Sequence, residues 1–553
     1  MIERSEKFNL FLSCLPPLIV LAVTLTLFSG ILRDDFVMWD DDVMILSNHK
    51  LMELDVPWAF TDVDSTMSYA PLALLSWQIT YLVDGFSPFW FHFGNWLFHG
   101  LSALLLFFSL REMLTLAKIE KKYHADTVSP FARDCAAASA ALLWAIHPLR
   151  VEPVAWASTR PYCQAVFFLF GSLFLYLRSH RFGTSKASKY HLVFSVIFYI
   201  ASLLSLPLGM SFFVALFMLD LFLLNKVDFS NATDRWGALR QVLTEKLLFA
   251  LPALGIAITS VVIRYTSHSI WEKPVDLSQF GVVPRLMQAM YLLAYYLWKS
   301  LSPVNLAPLY TTLITVDPMA LRFIGSATMV GAVSVGVLLL RKRLPFLLGI
   351  WISYLALMMP FLGLFEHPYF SSDRFSLLSS LCFSVLAAFT IVHVISRSRI
   401  RETAVVVITI LALLGWATYK QTAIWSSTES LLARIIETLG DDPYRTKIWG
   451  RLGEYYVEAG QPDKAIPAFN EVLKIKPMNI AANSRLAALY VGKKMFAEAL
   501  GRCRVIIAQD PGNRDAHYEM GIALTGLNRR AEAKQQFDLA DRLAGAQHAP
   551  AAP

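Results

Sequence analysis

Acidic side chains are concentrated in one short segment that follows the first long apolar run. Five aspartates fall within it: Asp34, Asp35, Asp40, Asp41 and Asp42. Carboxylates packed this closely repel one another, which raises the pKa of some of them. Such a cluster suits a general base, with the first four as candidates, or a divalent cation bound by Asp40, Asp41 and Asp42. A solvated acidic flank without chemistry is the alternative.

A second group of ionisable residues lies in a short segment between two later apolar runs. It holds His147, Arg150, Glu152 and Arg160. Charged groups at a membrane boundary cost free energy unless they form ion pairs or serve a function. A planar guanidinium matches the geometry of phosphate oxygens. We therefore predict that the two arginines can bind a lipid phosphate, and that His147 and Glu152 orient the site. An interfacial anchor, or an ion pair that only holds the loop, is the alternative.

Two further places carry candidate residues. Asp373 and Arg374 stand at the start of an apolar run, where Arg374 would be a third phosphate ligand and Asp373 would orient it; a structural ion pair is the alternative. His92 and His99 lie seven residues apart, on one face of a helix. A hydrogen bond between helices is the simpler role for His92, and orientation of the site is the functional one.

The composition indicates what positions these residues. Hydrophobic residues make up 56% of the 553, and charged residues only 16%, against roughly 25% in soluble domains. A helix needs ~20 apolar residues to cross a membrane. Eleven such runs predict a polytopic helix bundle, at roughly 8–32, 90–110, 132–147, 161–178, 190–206, 208–225, 247–265, 319–340, 344–364, 375–396 and 402–420. Five widely spaced cysteines argue against a disulfide framework or a zinc ribbon.

The distribution of lysine and arginine predicts the orientation of the bundle. These residues are concentrated in alternate connections, including 1–7, 341–343 and 397–401, which the positive-inside rule places in the cytoplasm. A twelfth run, 285–301, would break this pattern as a full span, so we place it at the outer face without a crossing. The acidic loop 33–89 and the C-terminal region are then outside. The scattered basic residues do not indicate nucleic-acid binding.

A repeat of about 34 residues begins after the last apolar run, which is typical of tetratricopeptide repeats. The first copy carries the signature residues Trp449, Leu452, Gly453, Tyr456, Gly460, Ala465, Phe469 and Pro477. We predict an all-α chain with a transmembrane domain at 1–420, and an α-solenoid at 421–545 that offers a protein-binding surface. The solenoid would comprise a capping helix near 427–440, repeats at 446–479, 480–513 and 514–545, and a disordered tail at 546–553.

Together these motifs resemble the transmembrane and tetratricopeptide-repeat-containing glycosyltransferases, which have the multi-spanning fold called GT-C. That family includes eukaryotic luminal O-mannosyltransferases and many bacterial relatives. The most specific part of the resemblance is the run His147-Pro148-Leu149-Arg150-Val151-Glu152-Pro153-Val154-Ala155-Trp156. The other matching pieces are Asp35–Asp41, Pro71-Leu72, His92 with Asn95 and His99, Pro207, Leu219-Asp220, Pro303–Leu306 with Tyr310, and Ser372-Asp373-Arg374.

The resemblance implies an inverting transfer of a hexose, such as mannose, from a polyprenyl-phosphate donor to a hydroxyl group at the periplasmic or luminal face. The acidic pair of the family maps onto Asp40 and Asp41. The acceptor would be a protein presented by the repeats, and the enzyme would lie in a bacterial inner membrane or an endoplasmic-reticulum membrane. A ligase or polymerase of polyprenyl-diphosphate-linked glycans, a transporter and a non-catalytic repeat scaffold are the alternatives.

Overall fold

The computed structural model describes residues 2–66, 68–117, 128–181, 183, 185–227, 235–266, 275–397 and 399–547, with side chains described from residue 13 to residue 544. Within these residues every regular element is a helix, which confirms the all-α class. The chain divides into two compact units, residues 1–427 and residues 428–553. The predicted disordered tail, 546–553, lies almost wholly outside the described residues.

The first unit is a bundle of long apolar helices joined by loops with short helical turns. Proline occupies the first turn of several of them, where its missing N–H costs nothing. The helices are α1 Ile2–Leu27, α2 Val56–Thr61, α3 Pro71–Asp84, α4 Pro88–Leu116, α5 Pro130–Ala145, α6 Val151–Ala155, α7 Arg160–Arg181, α8 Lys186–Ser205, α9 Phe212–Phe222, α10 Arg235–Thr266, α11 Val282–Leu301, α12 Leu321–Leu340, α13 Pro345–Met358, α14 Ser376–Ile395 and α15 Ile400–Thr422.

Seven described helical segments are long and apolar enough to cross a membrane: Pro88–Leu116, Ala157–Arg181, Lys186–Ser205, Arg235–Thr266, Leu321–Leu340, Asp373–Ile395 and Ile400–Trp425. Three further apolar helices are shorter, at Ser13–Leu27, Phe212–Phe222 and Pro345–Phe361. The predicted spans at 208–225 and 344–364 are therefore helices of less than full crossing length, because a residue advances a helix by only ~1.5 Å. The run at 285–301 lies within α11, which is not among the seven.

The core of the first unit forms where α4, α5, α7 and α14 pack together. On α5 the alanines at 136, 137, 140 and 141 are fully buried, and their small side chains let neighbouring helices approach closely. The large side chains Phe107, Trp144 and Tyr176 fill the space between these helices. This rigid packing fixes the ends of the helices, and the loops between those ends carry the predicted site residues.

The second unit consists of helices α16 Thr428–Leu439, α17 Arg445–Glu458, α18 Pro462–Ile475, α19 Ile480–Gly492, α20 Phe496–Gln509, α21 Arg514–Gly526 and α22 Arg530–Gln547. Three turns at equal spacing have left-handed backbone, at Gly460, Lys494 and Asn528. A Cβ on Gly453 would lie 2.7 Å from the Phe469 ring, and one on Gly521 would lie 2.6 Å from the Phe537 ring. Glycine at these two positions therefore lets the paired helices meet.

Candidate functional site

The segment between α5 and α7, called here loop 146–159, is the centre of the candidate site. It folds as the short helix α6 with one 3-10 turn before it and one after it. Every residue in it is buried, although four of the predicted site residues lie in or beside it. An exposed interfacial anchor is therefore not what this loop forms.

The acidic loop 33–89 packs onto loop 146–159 through a small apolar core. Ile45, Leu51 and Trp77 are fully buried there together with Phe91 of α4 and Ala157 of loop 146–159. Packing of this kind holds the acidic segment in one place and brings it to the same end of the bundle as the second group of ionisable residues.

Asp41 joins the acidic loop 33–89 directly to loop 146–159. Its carboxylate is fully buried. Oδ1 accepts hydrogen bonds from the Ser158 backbone N–H at 2.9 Å and from the Ser158 hydroxyl, and Oδ2 accepts one from the Val37 N–H at 2.9 Å. Burial raises the pKa of Asp41 to about 7, although the hydrogen bonds with Ser158 and Val37 oppose that shift. Both oxygens are occupied by protein donors, so the arrangement favours a positioning role.

The other acids of the cluster are less enclosed. Asp40 and Asp42 are partly exposed, and Asp35 is exposed, with Oδ1 accepting from the Phe36 N–H at 2.8 Å. Asp34 is partly buried, and that burial raises its pKa to about 6. In the part of the chain that the structure describes, no three His, Cys, Asp or Glu side chains are placed to hold a metal ion. Both oxygens of Asp41 accept from protein donors, and a metal site at Asp40, Asp41 and Asp42 stays a prediction.

Glu152 connects loop 146–159 to the start of α14. Oε2 accepts the Asp373 backbone N–H at 2.8 Å, and Oε1 forms an ion pair with Arg374 Nη1. The Arg374 guanidinium also lies 5.1 Å from the centre of the Trp156 ring and 5.3 Å from that of Tyr162. Burial raises the pKa of Glu152, whereas Arg374 lowers it. The predicted orienting residue and a predicted phosphate ligand thus form a buried pair.

Arg150 is fully buried beside this pair. Its Nη2 donates to the Ser376 hydroxyl at 2.7 Å, and its guanidinium lies 5.4 Å from the centre of the Trp144 ring. Among the described residues, Arg150 Nε and Nη1 have no hydrogen-bond partner. The Asp373 carboxylate nearby accepts from the Tyr310 hydroxyl at 2.8 Å. Arg150 therefore retains two nitrogen atoms, Nε and Nη1, whose N–H groups could bind an anion.

Arg160 is placed differently from what its residue type suggested. Its Nε donates to Asn95 Oδ1 at 2.8 Å, Nη1 donates to the Thr80 hydroxyl at 3.1 Å, and Nη2 donates to the Phe91 carbonyl at 2.6 Å. Asn95 in turn donates to the Trp156 carbonyl at 2.8 Å. Because Nε, Nη1 and Nη2 each donate to α3 or α4, the arrangement favours a structural role for Arg160, and its phosphate contact stays a prediction. This side chain instead fixes the start of α7 against α4.

The histidines mainly hold the local structure. His147 Nδ1 accepts the Leu149 N–H at 3.2 Å and caps the turn that follows. His92 is buried in α4 beside the Phe36 ring, at a centroid distance of 6.4 Å. His99 Nε2 lies 2.9 Å from the Ala145 carbonyl oxygen. His92 and His147 therefore support the loops that carry the acids and the arginines.

Two residues that complete the site were not predicted. Ser376 accepts a hydrogen bond from Arg150, and the Tyr162 ring packs against Arg374. A serine at the start of a helix and a tyrosine inside an apolar run are both common in structural roles, so neither carried a recognisable signal.

Gly94→Ala should destabilise the bundle. A Cβ on Gly94 would lie 2.5 Å from Arg160 Nη2 and 2.7 Å from Nε, and the guanidinium cannot move without losing its hydrogen bonds. We expect a loss of about 1–3 kcal/mol, measured as a lower midpoint of thermal unfolding in detergent. The control is Gly336→Ala in α12, where a Cβ meets nothing within 4 Å. Equal midpoints for the two variants would contradict the close contact with Arg160.

Curated proteins of other organisms are similar to this chain over most of its length. No protein-family model matches the chain. The chain is 26% identical over 465 residues to protein O-mannosyl-transferase TMTC1 of Homo sapiens, a match that covers 77% of this chain and 50% of the relative. For TMTC1 of Mus musculus the identity is 24% over 584 aligned residues, covering 85% and 58%. For protein O-mannosyl-transferase TMTC4 of Mus musculus it is 31% over 178 residues, covering 29% and 23%.

The chain thus spans about half the length of the curated relatives it matches. The human match alone extends over more than three quarters of this chain, so the similarity is not confined to the repeats. The resemblance predicted from the motifs is confirmed: this chain is similar to proteins named protein O-mannosyl-transferase, and for human and mouse TMTC1 the similarity extends over most of this chain.

Proposed function

We propose that this protein is a membrane glycosyltransferase that moves a sugar, of the hexose class, from a polyprenyl-phosphate donor to a protein hydroxyl group. One observation carries the proposal: loop 146–159 binds the acidic loop through Asp41 and the arginine-bearing start of α14 through Glu152. A general base and a phosphate-binding group are the two parts that such a transfer needs, and this loop holds both at one end of the bundle.

The general base is Asp40 in this proposal, and Asp41 positions it. Asp40 is partly exposed, whereas both oxygens of Asp41 are occupied. The acceptor hydroxyl would give its proton to the Asp40 carboxylate as its oxygen attacks the anomeric carbon. The bond from that carbon to the phosphate oxygen breaks, and polyprenyl phosphate leaves with the electron pair. A single displacement of this kind inverts the anomeric centre.

The leaving phosphate is stabilised by Arg150 and Arg374 in this proposal. Arg374 is already paired with Glu152, while Nε and Nη1 of Arg150 have no hydrogen-bond partner among the described residues. Donors aimed at developing negative charge in a water-poor site contribute strongly to catalysis. Arg150 is therefore the main phosphate ligand, Arg374 is the second, and Arg160 acts only through α4.

The helical repeats of the second unit are proposed to bind the acceptor protein. The acidic loop and the repeats are both proposed to lie on the periplasmic or luminal side. Stacked repeats form extended surfaces that suit an unfolded segment of another protein. The distribution of basic residues supports this orientation.

The test is transfer by the purified full chain in detergent, with radiolabelled polyprenyl-phosphate mannose and a serine- and threonine-rich peptide. We expect labelled peptide with the phosphate-linked donor and none with the diphosphate-linked donor. Arg150→Gln should abolish transfer. Arg181→Gln should not, because Arg181 is at the end of α7 that is far from loop 146–159. Transfer from the diphosphate donor alone would instead indicate a glycan ligase. Consumption of neither donor, with the repeats still binding envelope proteins, would indicate a scaffold.

A further inference from the structure

An apolar cavity of about 340 Å³ lies inside the first unit, away from loop 146–159. Its walls come mainly from α9, α13 and α14, with the last turn of α4. Along α14 the lining runs from Leu381 to His393, a rise of roughly 18 Å at 1.5 Å per residue. That length suits a single extended hydrocarbon chain better than a compact ligand.

Two short helices account for the cavity. Helix α9 has 11 residues and α13 has 14, so they extend roughly 16 Å and 21 Å along their axes. The hydrocarbon core of a bilayer is ~30 Å thick. Helices of this length leave space between longer neighbours, and side chains such as Leu216 and Leu357 line it.

The two basic side chains that line the cavity lie at one end of it. Arg133, near the start of α5, and His393, near the end of α14, both line it. Two clusters of exposed basic residues flank the same ends of the helices, namely Arg341, Lys342 and Arg343 before α13, and Arg397, Arg399 and Arg401 before and within the first turn of α15. This end therefore attracts a negatively charged headgroup.

The opposite end of the cavity is separated from the candidate active site. Ser376, which binds Arg150, lies more than one helical turn before Leu381, the first lining residue of α14. The buried Leu377 between them accepts a hydrogen bond on its carbonyl from the Trp144 indole at 3.0 Å. A chain in the cavity would thus have its charged end far from Arg150, which is not how the sugar donor would be held.

We propose that this cavity binds one acyl chain of an anionic membrane phospholipid, with the headgroup phosphate at Arg133 and His393. The site lies at the end of the bundle that the basic turns predict to be cytoplasmic. It is separate from the proposed transfer reaction, and its occupant is a structural lipid that fills the gap left by α9 and α13.

The test uses the full chain in nanodiscs of equal phosphatidylglycerol and phosphatidylcholine with a small fraction of polyprenyl phosphate. After transfer to detergent, native mass spectrometry should show a single phosphatidylglycerol adduct. Val385→Trp, which fills the cavity from α14, should abolish that adduct, and its matched control Val335→Trp on the exposed face of α12 should retain it. Arg133→Gln/His393→Gln should remove the preference for phosphatidylglycerol, while Arg181→Gln should not.

Four results would overturn the proposal. They are equal retention of phosphatidylcholine, a polyprenyl-phosphate adduct in place of the phospholipid, no lipid adduct at all, and an unchanged adduct in the Val385→Trp protein. If Val385→Trp fails to elute as a monodisperse species, the headgroup variant decides alone: its substitutions lie at the basic end of the cavity and do not fill it, and an unchanged preference for phosphatidylglycerol would overturn the proposal.

Discussion

Asp40→Asn should lower the turnover number for sugar transfer by roughly 10²- to 10⁴-fold, the usual contribution of general-base catalysis. The asparagine side chain has nearly the same size but cannot accept the acceptor's proton. The Michaelis constant for the donor should change little, because Asp40 lies on the acidic loop and the residues proposed to bind the donor phosphate lie on other segments. The measurement is initial rates over a range of donor concentrations with the folded full chain.

Two aspartates of the same loop serve as comparisons for Asp40. Asp62→Asn should retain near-normal turnover, because the Asp62 carboxylate only accepts hydrogen bonds from Ser65. Asp41→Asn should weaken the fold as well as the activity, since its amide N–H₂ would face either the Ser158 or the Val37 donor. Full turnover of Asp40→Asn, with turnover lost in Asp34→Asn, would assign the base to Asp34 instead.

Glu152→Ala should destabilise the first unit by about 3–5 kcal/mol, the cost of leaving one partner of a buried ion pair alone. The substitution removes the ion pair with Arg374 and leaves the Asp373 N–H without its acceptor. It also releases the start of α14 from loop 146–159. We expect a lower midpoint of thermal unfolding and loss of transfer activity together.

Glu366→Ala is the matched control for this substitution. Glu366 pairs with Arg264 at 2.8 Å, but its side chain is 43% exposed, and exposed pairs contribute only about 0–1 kcal/mol. Glu152→Gln should recover part of the stability, because its amide oxygen can still accept the Asp373 N–H. Equal midpoints for Glu152→Ala and Glu366→Ala would mean that the pair with Arg374 does not hold the two segments together.

The architecture could be predicted from sequence because hydropathy and the repeat period are summed over many residues. The apolar runs all form helices, and the spacing of Gly460, Lys494 and Asn528 follows directly from the repeat. Crossing length was less predictable. The run at 208–225 overlaps Pro207–Gly209, and the run at 344–364 includes Met359–Phe361; both segments form 3-10 turns and shorten the α-helices.

The site was harder to predict because residue type does not reveal which donors are already used. Arg150 and Arg160 look alike in sequence, and only the fold shows that Arg160 meets Asn95, Thr80 and the Phe91 carbonyl. In the same way Asp40 and Asp41 are neighbours, but a turn of the backbone buries one and leaves the other partly exposed. The pairing of Glu152 with Arg374 was left open by the sequence, since 221 residues lie between them.

The separation of Glu152 and Arg374 in sequence has a consequence for the synthesis of the protein and its insertion into the membrane. Ribosomes add about 5–20 residues per second, so the segment from Glu152 to Arg374 takes roughly 10 to 40 s to make. During that time Glu152, in the short helix α6 between α5 and α7, is a carboxylate whose partner does not yet exist. The contact between loop 146–159 and α14 cannot form before α14 is made, and a chain stalled earlier would leave the Glu152 carboxylate unpaired.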